Sequence, residues 1–208
     1  MTTPHLALRR ESSMSTRKQI SLLSGEAQQA VSQSRFENLP PQSTLNHREI
    51  VTWKRKVATF QTSVKTAPTM QQASLFEQAG DPTDNLDPFT IPQQNTEFWR
   101  WQFSDVGVAA LYFVIDYQSE LLLYVGETVK SNQRWKGEHD CKRYLMNYRQ
   151  AHYRNNLESQ LGIAFWRHAP TDRRLRQTVE STLIHRWRSP FNKENWKFWG
   201  TPFIGTSD

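Results

Sequence analysis

Cysteine is nearly missing from this chain of 208 residues. Cys141 stands alone, which excludes an intrachain disulfide and a zinc site built on thiolates. That usage fits a reducing compartment, and the cytoplasm is the expected location. No apolar run approaches the ~18 residues a membrane span needs, so no membrane partner is expected. The segment Met1–Arg10 has no apolar stretch of the kind a secretion signal carries. Apolar residues make up only 37% of the chain, and the mean hydropathy is −0.75. That is lean for one core spread over the whole length. Tryptophan is nearly missing from the first half: Trp53 alone precedes Trp99, and the other seven follow.

What is present divides the chain in two. Residues 1–97 hold ten Lys and Arg against nine Asp and Glu, whereas residues 98–208 hold sixteen against eleven. The basic excess belongs to the aromatic-rich half, which points to a polyanionic partner, with nucleic acid foremost. Residues 1–95 are rich in Gln, Ser, Thr and Pro and poor in Gly. They are expected to form a largely disordered tail or linker that buries too little apolar surface to offset chain entropy. Within them, residues 46–65 carry Ile50, Val51, Trp53, Val57, Phe60 and Val64 at partly helical spacing, with Arg48, Lys54, Arg55 and Lys56 among them. This predicts a basic amphipathic helix, marginal and solvated rather than laid on DNA. Gly25–Gln33 is a second, polar helix candidate.

After Pro92 the texture changes. Val108–Ile115 and Leu121–Val125 are apolar runs joined by the polar residues Asp116–Glu120, the pattern of a hairpin. Helical character follows over 132–139 and 142–155, then a third strand over Leu161–Arg167. The clearest helix covers Thr171–Arg188, with Thr171 as N-cap, Asp172 in the first turn and Pro190 beyond its end. The expected domain spans residues 98–205. Its fold class is α+β: a small three-stranded, mainly antiparallel sheet flanked by helices, in the order β-β-α-β-α.

On these elements lies an ordered set of polar residues. The first strand carries Ala110-Leu111-Tyr112 and the second Tyr124-Val125-Gly126. Arg134 follows ten residues after Tyr124, with His139 close behind. Glu180 sits in the long helix, and Pro190-Phe191-Asn192 comes after it. Any one tripeptide is weak; the ordered set on matching elements is specific. It resembles the GIY-YIG nucleases, a family that includes the incision subunit of nucleotide-excision repair and phage homing endonucleases. The resemblance covers about half the chain and says nothing of residues 1–95.

The resemblance implies a metal-dependent endonuclease acting on DNA phosphodiesters. It casts Glu180 as ligand to Mg²⁺ or Mn²⁺. Mg²⁺ keeps several waters, so a single protein carboxylate suffices. The alternative role for Glu180 is an ordinary i−4 helix pair with Arg176, although its place on the border of the apolar stripe aims it at a groove. Arg134 would fork onto the scissile phosphate. Tyr112 would serve as general base or orient the attacking water, with Tyr124 sharing the site or simply packing in the core. His139 would assist as a proton shuttle or phosphate donor. Asn192 would fix the loop after the helix.

Three departures from the family's pattern stand out. Ala110 replaces the first Gly. Glu127 stands where many relatives place a cation, with Lys130 three residues on. Glu138 occupies the place of a family His. Grip on the DNA backbone falls to Lys130, Lys136, Lys142, Arg143, Arg173, Arg174 and Arg176, contacts that give affinity without base choice. Gln72-Ala73-Ser74-Leu75-Phe76 resembles the linear peptide by which bacterial replication and repair proteins dock on the sliding clamp; Gln72, Leu75 and Phe76 would be its anchors. Two other classes of function compete with the nuclease: a nucleic-acid-binding module that kept the fold without the chemistry, and an adaptor.

Overall fold

Two apolar runs on either side of a polar turn dictate the centre of the molecule. The computed structural model describes residues 45–67, 83, 86–95, 108–129 and 140–204. In chain order its main elements are helix α1 (His47–Thr66), strands β1 (Gln93–Asn95), β2 (Ala110–Asp116) and β3 (Leu121–Thr128), helix α2 (Asp140–Arg154), strand β4 (Leu161–Trp166), helix α3 (Arg173–Trp187) and the short helix α4 (Trp196–Trp199). The hairpin forms where the sequence places it. The sheet has four strands rather than three, all pairs antiparallel, in the order β1-β4-β2-β3. The additional strand, Gln93-Gln94-Asn95, is a polar triplet with no apolar alternation to announce it.

Strand β2 is buried along its whole length and supplies both cores. Ala110, Tyr112 and Val114 face one side, with α1, α2, Phe191 and Phe203. Leu111, Phe113 and Ile115 face the other, with Val179, Leu183, Ile184 and Trp187 of α3. The molecule is therefore layered, helices on both faces of the sheet. The register slips between Val114 and Ile115: Val114 opposes Tyr124, but Ile115 opposes Leu122. The extra residue puts Leu123 and Tyr124 on the same core side, where strict alternation would separate them.

Helix α1 departs most from expectation. Asn46 and Glu49 close a capping box at its start, and Ile50, Trp53 and Val57 are buried in the same cluster as β2 and α2. It is a docked helix and not a solvated one, so a boundary drawn between residues 95 and 98 cuts through a common core. Polar groups complete the docking. The Gln61 amide accepts from Leu122 N at 2.9 Å and donates to Leu122 O at 2.9 Å and Trp187 O at 3.1 Å. Lys54 reaches the fully buried Asp116 at 3.1 Å and His152 Nε2 at 3.1 Å.

Helices α2 and α3 follow their sequence signals closely, whereas the short α4 had none. At α3 the N-cap is Asp172, which accepts from Leu175 N, rather than Thr171. Its C-cap Arg188 takes the left-handed conformation. Among the described residues no helix is long and apolar enough to cross a membrane. The Gly25–Gln33 and 132–139 helix candidates lie outside the described residues.

Candidate functional site

Strand β3 is an edge strand, and the site is built along that edge. The residues after α3 fold back onto it. Phe191 N donates to Leu123 O at 2.8 Å. The Asn192 side chain then acts as one rung of a ladder, accepting from Val125 N at 3.0 Å and donating to Val125 O at 2.9 Å. Ser189 Oγ donates to the same Asn192 oxygen at 2.7 Å. Asn192 is buried and fixes the loop, as expected of it.

Between this loop, α2 and α3 lies a cavity of about 260 Å³. Its walls include Tyr124, Asp140, Tyr144, Gln177, Glu180, Ser181, Asn192, Lys193 and Glu194. Tyr124 and Glu180 are thus brought to one hollow from opposite faces of the sheet. Tyr112 stands behind Tyr124, the rings stacked with centroids 5.9 Å apart, and it is fully buried. Gly126 explains the close fit. A Cβ there would lie 2.3 Å from Tyr112 Cζ and 2.4 Å from its hydroxyl oxygen, so the ring occupies the space any other side chain would fill.

Among the described residues, the wall of the cavity carries more acidic than basic groups. Among the described residues in its walls, Asp140, Glu180 and Glu194 face a single cation, Lys193. Lys193 Nζ lies 3.6 Å from Asp140 and 5.9 Å from the Trp196 ring. Sequence reasoning missed Lys193, Asp140, Glu194 and Tyr144. Only the adjacency of Lys193 to the Pro190-Phe191-Asn192 motif offered a signal.

The cations expected to grip DNA divide. Arg173, Arg174 and Arg143 are exposed, with Arg173 3.8 Å from Glu127 and Arg143 3.7 Å from Asp140. Lys142 is half-buried, and desolvation lowers its pKa. Arg176 requires a correction. It is 1% exposed, its Nε bonds Glu127 at 2.9 Å, and its Nη1 donates to Pro170 O and Thr171 O at 2.9 and 3.0 Å. It is a buried partner of Glu127 and not a phosphate contact. The same pairing accounts for Glu127: alternation along β3 places it opposite Tyr124 and Gly126 on the α3 side, where arginine neutralises it. Arg176 is thereby committed away from the i+4 pairing with Glu180.

Lys130, Arg134, Lys136 and His139 lie outside the described residues, as do Gln72, Leu75 and Phe76. Among the described residues no three His, Cys, Asp or Glu side chains cluster closely enough to hold a metal together. The wall does offer oxygen donors in Glu180, Asp140, Glu194 and Ser181. That set suits a hard cation which keeps most of its own waters and takes one protein carboxylate. In comparisons with known proteins, no family model, curated protein or solved structure matches the chain.

Proposed function

We propose that the domain hydrolyses phosphodiester bonds in DNA at the cavity beside β3, as a divalent-metal-dependent endonuclease of the GIY-YIG type. The observation that carries this reading is the meeting of Tyr124 and Glu180, 56 residues apart, in one cavity wall, with Tyr112 stacked behind and Asn192 locking the edge. Glu180 would hold Mg²⁺ or Mn²⁺, which when bound supplies positive charge against the phosphate and the departing oxygen. Tyr124, in the wall, orients the attacking water through its hydroxyl, and Tyr112 fixes the Tyr124 ring from behind. The water oxygen bonds to phosphorus as the bond to the leaving sugar oxygen breaks. By the resemblance, Arg134, which lies outside the described residues, would take the phosphate and balance its growing charge. Exposed Arg173, Arg174 and Arg143 contribute backbone grip of the salt-sensitive kind.

Nicking of supercoiled plasmid in Mg²⁺ or Mn²⁺ tests the reading. Wild-type protein nicks, and Glu180→Ala slows nicking by about 100-fold or more while its thermal midpoint stays near wild type. Equal nicking by the two proteins removes the assignment. DNA binding with no cleavage by either marks a module that kept the fold without the chemistry.

A further inference from the structure

Phe198 is the most exposed aromatic side chain among the described residues, at 56%. It does not stand alone. Phe60 of α1 meets it edge-on at 6.1 Å and Trp199 at 4.7 Å, and Phe60 meets Trp199 at 5.6 Å. Three rings from two helices brace one another, and the outermost is left to solvent. A scattered exposed apolar residue needs no explanation, but a braced aromatic patch does.

Arg188 is an independent sign at the same place. It caps α3 in the left-handed conformation, at φ 49° and ψ 45°, where glycine is the usual residue and a side chain costs energy. Its backbone is locked there: N donates to Ile184 O at 3.0 Å, and O accepts from Trp199 Nε1. The lock sets the guanidinium carbon 5.1 Å from the centre of the Phe198 ring. Nη1 donates to Asn195 Oδ1 at 3.4 Å, and the rest of the five-donor fork is left for a ligand. Strain of this kind persists where the side chain it carries is used.

The surroundings are basic. Lys56 lies one helical turn before Phe60, and Lys197 directly precedes Phe198; both are exposed. Among the described residues, neither lysine nor Arg188 is held in an ion pair. The carboxylate nearest in sequence, Glu194, belongs to the cavity wall. Lys193 and Glu194 of that wall lead into α4, so the patch adjoins the cavity. An aromatic face flanked by uncommitted cations complements a planar base on a phosphate backbone. A purely apolar partner would strand the cations without counter-charge. A duplex hides the faces of its bases, so the ligand that fits is an unpaired strand. We propose that Phe198 is a stacking platform for an unpaired base of a DNA strand, with Arg188, Lys56 and Lys197 on the strand's phosphates. The choice of DNA over RNA rests on the hydrolytic reading; the stacking does not.

The test is fluorescence anisotropy of the whole chain with a labelled oligothymidine of about 15 nucleotides, in EDTA so that no metal chemistry enters. Phe198→Ala is expected to weaken binding by about 5- to 100-fold. Phe198→Trp keeps a stacking face and stays near wild type. Arg188→Gly suits the left-handed backbone, so it weakens binding while its thermal midpoint stays near wild type. A blunt duplex is bound alike by wild type and Phe198→Ala. Equal affinity of Phe198→Ala and wild type for oligothymidine overturns the proposal, and so does wild-type protein that fails to bind it. An equal loss on the duplex also overturns it, because the ring would then serve no unpaired base. Oligouridine bound more tightly than oligothymidine overturns the choice of DNA. Plasmid nicking run alongside keeps the two readings apart. Nicking by wild type with unchanged Phe198→Ala affinity removes only the platform. Weakened Phe198→Ala binding without any nicking removes only the hydrolysis.

Discussion

Gly126 and Tyr112 are opposite each other across the hairpin, and one leaves room for the other. Gly126→Ala would place a methyl 2.3–2.7 Å from three atoms of the Tyr112 ring. Tyr112 is stacked on Tyr124 and tilted against Phe165, so it has little freedom to retreat. Overpacking of this kind costs about 1–3 kcal/mol. The expected outcome in urea denaturation is a loss of that size, accompanied by reduced nicking because the phenol pair is displaced. An unchanged midpoint would show that the ring moves freely. The Tyr124-Val125-Gly126 motif was legible in the sequence only as a resemblance, and the steric reason for its Gly lies in the contact with Tyr112. The fate of Arg176 was not legible, because its partner lies 49 residues away on another element. Glu127 gave the only hint: an anion where a cation was expected requires compensation somewhere.

Elements are joined by polar groups that sequence periodicity does not reveal. At the junction of α1, β2 and α2, Asp116 accepts from Lys54 and from the Tyr148 hydroxyl through Oδ2, and from Gln118 N and Gln160 N through Oδ1. All four carboxylate lone-pair sites are used. The Tyr148 phenol is pushed well above its usual range by burial and by Asp116. His152 Nδ1 lies 2.8 Å from Tyr148 O, so it carries the proton. Nε2 is left to accept from the Lys54 ammonium at 3.1 Å. Burial first, and the Lys54 charge second, lower the His152 pKa to about 4. The imidazole is therefore neutral in the folded protein while the unfolded chain takes up a proton near ~6.5. Its contribution is complete above pH ~6.5 and is lost as pH falls from there towards 4, by at most about 3 kcal/mol. Denaturant titrations at pH 7.5 and 4.5 check this: wild type should lose more stability between the two than His152→Asn does. Parallel losses would place the acid sensitivity elsewhere. Helix α1 itself was visible from its apolar spacing. Its docking was not, because Gln61, Lys54 and Asp116 read as surface residues until their partners are known.

At the scale of the whole molecule, the composition break near residue 95 is real but does not divide the fold. Ile50, Trp53 and Val57 share a cluster with Tyr112, Tyr144 and Tyr148, and Gln61 bonds both β3 and the end of α3. A fragment of residues 98–208 should fail to give a cooperative thermal transition, whereas residues 40–208 should give one; circular dichroism distinguishes them. Cooperative melting of the shorter fragment would mean that α1 is dispensable. The low tryptophan content of the first half misled because a single helix with three large apolar residues is enough to complete a face. The hairpin, the third expected strand and α3 were legible from apolar runs and caps. The acidic residues described in the cavity wall were not, since they come from α2, α3 and the following loop and meet only in three dimensions.

The loop after α3 has one more effect. By taking the backbone groups of Leu123 and Val125, it occupies the flank through which another chain would add a strand to the hairpin. Growth of the sheet into dimers or fibrils by edge pairing is blocked on that side. A protein that disengages Asn192 would thus gain a sticky flank at the same moment that it loses its cavity.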